Sequence, residues 1–305
     1  MPSSLSRRSL IAAAALAPLA PPLARAAAAE PALLARRIPS SGESLPAMGI
    51  GTSRRYEVPP VPEQVAPLQA AVERFAALGG RVIDTAPSYG TAEDVLGLIL
   101  SGSGLRPNIF LASKVSESGR EAALAQIERS FQRLRTNRID LIAVHNLVDT
   151  KGNLALLREL KGQGRIRYLG VTVWRDDQFP DLEAVMREAA LDVVQVNYAL
   201  DNRKAAERIL PLAADRGMAV MVNVPFGRDR LLNAVKGKPL PDWARPFCAS
   251  WPQFFLKYVL AHEAVTCPIP GTAKVAYVED NLGAARGRLP DAGERRKMEE
   301  LIDAA

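Results

Sequence analysis

Cysteine and histidine are scarce, at two each in 305 residues. Cys248 and Cys267 give neither a disulfide framework nor the paired spacing of a zinc site. They read as small buried apolar residues. No cluster of histidines and carboxylates suggests a metal, so none is expected. Uninterrupted apolar runs are also missing. No segment approaches the roughly eighteen residues that mark a membrane-spanning helix, so no stable membrane insertion is expected. No Gly-x-Gly-x-x-Gly opens a first helix. The stretch "MGIGTS" lacks the third glycine and precedes a long polar loop, which counts against a Rossmann fold. Runs of Lys and Arg interleaved with aromatics are absent. The net charge is +6, and Arg7, Arg8 and Arg25 supply three of those charges within the first 26 residues. What remains is too small a charge to point to nucleic acid.

The first 30 residues read as a leader rather than as part of a fold. A polar start carries Arg7-Arg8 within Ser-Arg-Arg-Ser-Leu-Ile. A weakly apolar Ala/Leu stretch follows, broken by Pro18, Pro21 and Pro22, and Arg25 lies beside a cleavage-like Ala-Arg-Ala. This is the layout of a secretory signal, and the paired arginines resemble a twin-arginine signal. The expected organisation is a cleaved signal over 1–28 and one domain over 29–305, with the export machinery as partner and the periplasm as destination. A cytoplasmic enzyme with an Ala-rich tail is the alternative. Hydrophobic residues make up 48% of the chain, enough for one sizeable core.

Past residue 30 the chain alternates between short apolar runs and amphipathic segments. "LPAMGIGT", "RVIDTA", "NIFLASKV", "IDLIAVHN", "IRYLGVTV", "DVVQVN", "MAVMVNV" and "AVTCPIP" read as strands. Helical periodicity follows each. Val65, Leu68, Val72 and Phe75 share one face, as do Leu124, Ile127, Phe131 and Leu134. Continuous apolar strands are buried on both sides, as in a parallel sheet covered by helices. Eight strand-helix units predict an α/β fold, a (β/α)8 TIM barrel.

In such a barrel the chemistry sits at the C-terminal ends of the strands. Asp84 ends strand 2 and Tyr89 lies in the loop after it. Lys114 closes strand 3 and His145 closes strand 4. One rim thus receives an acid, a phenol, an amine and an imidazole. A lysine points inward only where its charge is paired, and Asp84 is placed to be its partner.

The blocks "VIDTAPSYGTAEDVLG", "FLASKV", "IERSFQRLRTNRIDLIAVHN", "LRELKGQGRIRYLGVT", "DVVQVNY" and "PIPGTAKVAYVEDNL" resemble the aldo-keto reductases in order and spacing, over roughly residues 36–285. With its leader and "NVPFG", the chain is similar to an exported bacterial branch of that family. The resemblance implies reduction of a small-molecule carbonyl, an aldehyde or ketone, by a nicotinamide cofactor. Tyr89 would be the general acid, Lys114 held by Asp84 would lower its pKa, and His145 would orient the carbonyl oxygen.

The same resemblance places Thr172 and Gln195 on the carboxamide. It sets Gly51, Thr52, Asp84, Pro225, Phe226 and Gly227 along the cofactor, and Gly271, Thr272, Lys274, Asp280 and Asn281 at its phosphate end. Two family positions differ. Val173 stands where an asparagine is frequent, and Asn223 where an aromatic ring stacks on the nicotinamide. Tyr277 and Gly271 occupy positions where basic residues hold the 2′-phosphate of NADP, leaving Lys274 as the nearest cation. NADP(H) is therefore expected from the resemblance, with NAD(H) open. Val173 and Asn223 keep a second reading in view, a non-catalytic nicotinamide-nucleotide-binding barrel or scaffold. A barrel hydrolase or lyase would be favoured by a rim cluster of carboxylates and histidines for a metal, and the sequence offers none. The loops Thr52–Glu63 and Phe226–Trp251 are expected to wall the site. Tyr56, Trp174, Phe226 and Trp243 are candidate apolar surfaces, and Arg54 and Arg55 would attract an acidic substrate.

Overall fold

Strand residues alternate between two apolar environments in the computed structural model, which describes residues 31–304. The leader expected over residues 1–28 lies outside the described residues. Ile83, Leu111, Ile142, Val144, Leu169, Val171, Val194, Val196, Val220 and Val222 pack into the layer between strands and helices. Val82, Phe110, Ala112, Leu141, Tyr168, Val193, Ala219, Met221, Cys267 and Ile269 pack into a second cluster inside the strand ring. A period of two sends successive side chains to opposite faces, and both faces here are dry. That is why the strands lack polar alternation.

The ring consists of eight parallel strands in sequence order: β3 (Gly49–Gly51), β4 (Val82–Asp84), β5 (Phe110–Val115), β6 (Ile139–His145), β7 (Ile166–Thr172), β8 (Val193–Asn197), β9 (Ala219–Asn223) and β10 (Val265–Pro268). It closes where the Gly51 N–H donates to Pro270 O at 3.0 Å and Gly51 bridges Gly271 in parallel. A Cβ on Gly51 would stand 2.7 Å from Ile269 O, so the seam closes only around a glycine. The first strand is shorter than the eight-residue run suggests.

Helices α1 (Pro62–Ala77), α2 (Ala92–Ser103), α3 (Arg120–Arg133), α4 (Thr150–Gly162), α5 (Phe179–Glu188), α6 (Ala205–Asp215), α8 (Trp251–Leu260) and α9 (Val275–Ala284) follow the strands. A short α7 (Arg230–Ala234) lies within the long loop after β9. The expected stripes hold: Val65, Leu68, Val72 and Phe75 are buried, as are Ile127, Phe131 and Leu134, with Leu124 partly so.

Two elements lie outside the eight-unit pattern. An antiparallel hairpin, β1 (Ala35–Arg37) with β2 (Ser44–Pro46), carries Ile38 and Leu45 into the inner cluster. Ser41 Oγ lies 2.7 Å from Tyr168 OH, so the hairpin plugs the end opposite the rim. A final helix α10 (Ala292–Asp303) starts at a capping box of Asp291 and Glu294 and buries Met298. Both cysteines are buried. Among the described residues no helix is long and apolar enough to cross a membrane, and no metal-ligand cluster occurs.

Candidate active site

The inward alternation of the strands places polar residues above the apolar inner cluster. Asp84 follows Val82 by two, Lys114 follows Ala112, and Gln195 follows Val193, so each takes the inward side. The register sets His145 beside Thr172 and Thr172 beside Gln195 on adjacent strands. Lys114 stands one residue before the end of its strand, and its neighbour Ser113 turns outward to donate to Glu93 Oε1 at 2.8 Å. Glu93 Oε2 also accepts from Ser130 Oγ at 3.1 Å. This buried clamp fixes α2 and α3 on β5 and sets the phase that sends Lys114 inward.

Lys114 Nζ donates to Asp84 Oδ2 at 2.7 Å and to Thr85 O at 2.8 Å. The other carboxylate oxygen, Asp84 Oδ1, accepts from Gln195 Nε2 at 2.9 Å, and Gln195 Oε1 accepts from Thr172 Oγ1 at 2.8 Å. Thr52 ties the next strand in, since its N–H and its Oγ1 each donate to Asp84 O at 3.0 Å. A continuous polar chain therefore runs from Lys114 to Thr172, and both ends of the Gln195 amide are engaged within it.

Tyr89 and His145 stand beside this chain. Their rings meet edge-on at 6.2 Å between centroids, and Lys114 Nζ is 5.2 Å from the Tyr89 ring centroid. Burial pushes the Tyr89 phenol above its ordinary value, while Lys114 pulls it down and Asp84 pushes it up. The expected net lowering by Lys114 is thus corrected: its pull is present, but desolvation outweighs it. Burial also acts to lower Lys114, yet Asp84 and Tyr89 outweigh it and hold the ammonium above the usual lysine value. Burial, helped by Lys114, lowers His145 to about 3, so the imidazole is neutral near pH 7.

These groups border one cavity of about 350 Å³. Gly51, Thr52, Asp84, Tyr89, His145, Thr172, Gln195, Pro225, Phe226 and Gly271 all line it. Lys114 stands behind Asp84 rather than in the lining. Gly227, Thr272, Lys274, Asp280 and Asn281 do not line it. Lys274 caps α9, with its ammonium 5.3 Å from the Tyr277 ring. Asp280 accepts from Ser250 Oγ at 2.7 Å and Gln253 Nε2 at 2.9 Å, and Asn281 Nδ2 donates to Thr272 Oγ1 at 3.0 Å.

The two divergent positions meet each other. Asn223 Nδ2 donates to Val173 O at 2.9 Å, while the Val173 side chain is buried away from the cavity. Of the candidate apolar surfaces, Trp174 and Phe226 line the cavity, whereas Tyr56 and Trp243 do not. Tyr56 is fully buried, and Trp243 packs on Phe247 and Phe254. Arg54 and Arg55 line it, and so do Asn146 and Arg228, which the sequence did not single out. Asn146 adjoins His145 at a strand end, a signal that was available. Arg228 gave none beyond its place in a rim loop.

Comparison with known proteins agrees with this geometry. The model of the aldo/keto reductase family matches residues 47–300. The methylglyoxal reductase YeaE of Escherichia coli (strain K12) is 32% identical over 267 residues, spanning 84% of this chain and 92% of that protein. An aldo-keto reductase of Klebsiella pneumoniae, solved with NADPH, superposes with a TM-score of 0.76 at 25% identity, covering 88% of this chain and 95% of that one. A Klebsiella pneumoniae aldo/keto reductase solved with NADP and acetate gives 0.72 at 25% identity, over 86% and 93% of the two chains. By its barrel, its rim and these matches, the chain belongs to the aldo/keto reductase family.

Proposed function

We propose that the protein reduces an aldehyde or ketone to an alcohol with NADPH as its reductant. The observation that carries this reading is Tyr89 beside His145 at one cavity, with the Lys114–Asp84 pair packed behind them. The Klebsiella relatives bound to NADP and NADPH support the choice of cofactor. The lining fits the polar head of a nicotinamide. Asn146 Oδ1 and Asn223 Oδ1 are buried without partners, and a carboxamide brings both donors and an acceptor. When bound, the cofactor supplies the hydride.

The chain's own residues supply the rest. A phenol of ordinary pKa, about 10, is already protonated at neutral pH, and burial pushes Tyr89 further up, so the proton is there for general acid transfer to the carbonyl oxygen. Its loss of that proton leaves a phenolate beside the Lys114 ammonium, which stabilises the charge. Neutral His145 has a ring N–H to donate to the same oxygen and orients it without competing as an acid.

The departures at Val173 and Asn223 favour a second reading, a barrel that holds the nucleotide without turnover. Fluorescence titration with NADPH, followed by assay on a panel of aldehydes, ketones, quinones and keto sugars, separates the two. Binding with turnover supports the reductase. Binding without turnover supports the scaffold, and no binding removes both.

The leader extends the proposal to location. Residues 1–28 act as a twin-arginine signal, cleaved near Ala26–Ala28, in a member of an exported bacterial branch of the family. That route carries folded proteins, so the enzyme loads its cofactor in the cytoplasm and leaves with it bound. Cys248 and Cys267 are buried and form no disulfide, which fits folding in a reducing compartment. Arg7→Lys with Arg8→Lys is expected to hold the protein in the cytoplasm as an uncleaved precursor. Identical fractionation of both versions with the leader intact would defeat the export reading.

A further inference from the structure

The strand that ends in His145 runs into a strained turn. Asn146, Leu147 and Asp149 sit at positive φ, +52°, +59° and +43°. Residues with side chains rarely adopt that region, and a run of them persists only where surrounding contacts over-determine it. His145 belongs to the turn, since its carbonyl accepts from the Val148 N–H at 3.2 Å. On one side the Asn146 N–H donates to Thr172 O at 2.8 Å. On the other side stands Asn153, in the first turn of α4 and only 1% exposed. Its Nδ2 donates to Val148 O at 2.8 Å and to Glu117 O at 3.0 Å. One buried amide thus joins the loop after His145 to the loop after Lys114. Asp149 Oδ2 makes a second tie between the same loops, accepting from the Gly119 N–H at 2.9 Å. Gln126 on α3 stiffens the far end, where its Oε1 accepts from the N–H groups of Ser116 and Glu117 at 2.8 and 3.3 Å. A capping side chain accepts from the N–H groups of its own helix. Asn153 does the reverse and donates to two carbonyls outside α4, so helix capping does not account for its burial.

We propose that Asn153 is a positioning residue for His145: it locks the turn over residues 146–149 against the loop after Lys114 and so fixes the imidazole edge-on to Tyr89. This rests on the reductase reading, in which His145 orients the carbonyl oxygen. Asn153 does not line the cavity, so it acts through the turn and not on the reactants. The titratable groups that face the imidazole are Tyr89, 6.2 Å away between ring centroids, and Lys114, with Asp84 behind it. Burial and Lys114 hold His145 in its neutral form only while the ring keeps its place. A turn released from Asn153 lets water reach the ring and carries it from Lys114, and both changes move its protonation up toward the ordinary histidine value.

The chain has only two histidines, His145 and His262, so imidazole titration by NMR reads His145 directly, with His145→Gln assigning its signals. Asn153→Asp keeps the shape of the side chain and replaces both donors by acceptors. It is expected to raise the pH at which His145 titrates and to lower kcat about ten- to a hundredfold, the scale of a small misplacement at the reacting centre. NADPH affinity by fluorescence titration should stay close to wild type. Asn153→Gln keeps a donor amide and should recover part of both effects. Met298→Ala removes a buried side chain from α10 and serves as the control, expected to lower Tm without moving the His145 titration. If Asn153→Asp does not fold, Asp149→Ala removes the second tie between the loops and should move the titration in the same direction. A variant that folds and loses Tm like Met298→Ala, with the His145 titration and kcat unchanged, would overturn the proposal. Wild-type protein that binds NADPH and turns over no carbonyl would overturn the reductase reading instead. The imidazole titration still decides the positioning in that case: a shift in Asn153→Asp supports it and an unmoved signal defeats it.

Discussion

Lys114 Nζ stands 2.7 Å from Asp84 Oδ2, and the two side chains retain only 1% and 5% of their exposure. A buried ion pair of this kind is weak evidence of stability but is costly to break on one side, at about 3–5 kcal/mol. Lys114→Met keeps the stem and removes the charge. It is expected to lower Tm, to reduce the carbonyl-reduction rate strongly, and to move the pH dependence of the phenol upward, because the ammonium that pulls Tyr89 down is gone. Combining it with Asp84→Asn should restore part of the stability and none of the rate. An unchanged rate and pH profile in Lys114→Met would separate the pair from the chemistry.

Tyr89→Phe removes the transferable proton and keeps the ring that packs beside His145. General acid catalysis contributes about 10²–10⁴-fold, and the variant should lose kcat on that scale while NADPH affinity by fluorescence titration stays close to wild type. Retention of most of kcat on an aldehyde would remove Tyr89 from its role.

The depressed pKa of His145 makes a claim about pH. Its folded value of about 3 lies below the ordinary histidine value of 6.5. Between those two values the unfolded chain binds a proton that the folded protein does not. Stability therefore rises with pH across that window, and its loss begins as pH falls below 6.5. His145→Gln should flatten that part of a stability-against-pH curve measured by urea unfolding. It should also lower kcat without introducing or removing a rate inflection between about pH 6 and 8. A wild-type rate that titrates in that range and loses the inflection in His145→Gln would contradict a neutral imidazole.

Much of the site was legible because a barrel strand has only two sides. Once Val82, Ala112 and Val193 face inward, Asp84, Lys114 and Gln195 must follow them, and a charged inward lysine needs its partner. Other parts depend on quantities that strand periodicity does not carry. The net direction of the Tyr89 shift is set by the depth of burial, which outweighs a correctly expected neighbour. The contact of Arg228 with Trp174, Cζ 3.8 Å from the ring centroid, joins two loops far apart in sequence, and Arg228 itself sits at a positive φ. The plug of β1 and β2 uses three-residue strands, too short to show a period.

Gly97 offers a test of how the helical layer holds the site. It lies in α2, and a Cβ there would stand 1.9 Å from Arg133 O and 3.0 Å from Leu134 Cα at the end of α3. Both contacts are backbone, so no side chain can swing aside. Alanine favours a helix over glycine by about 1 kcal/mol, but forcing a methyl into a packed contact costs about 1–3 kcal/mol or more. The clash should win, and Gly97→Ala should lower Tm by several degrees. Gly102, in the same helix, has nothing within 4 Å of its added Cβ, so Gly102→Ala should leave Tm unchanged or raise it. Because α2 also carries Glu93 to Ser113, the residue before Lys114, the displaced helix of Gly97→Ala should lower kcat as well. Equal Tm values for the two alanine variants would mean that α2 and α3 are not in the close contact described.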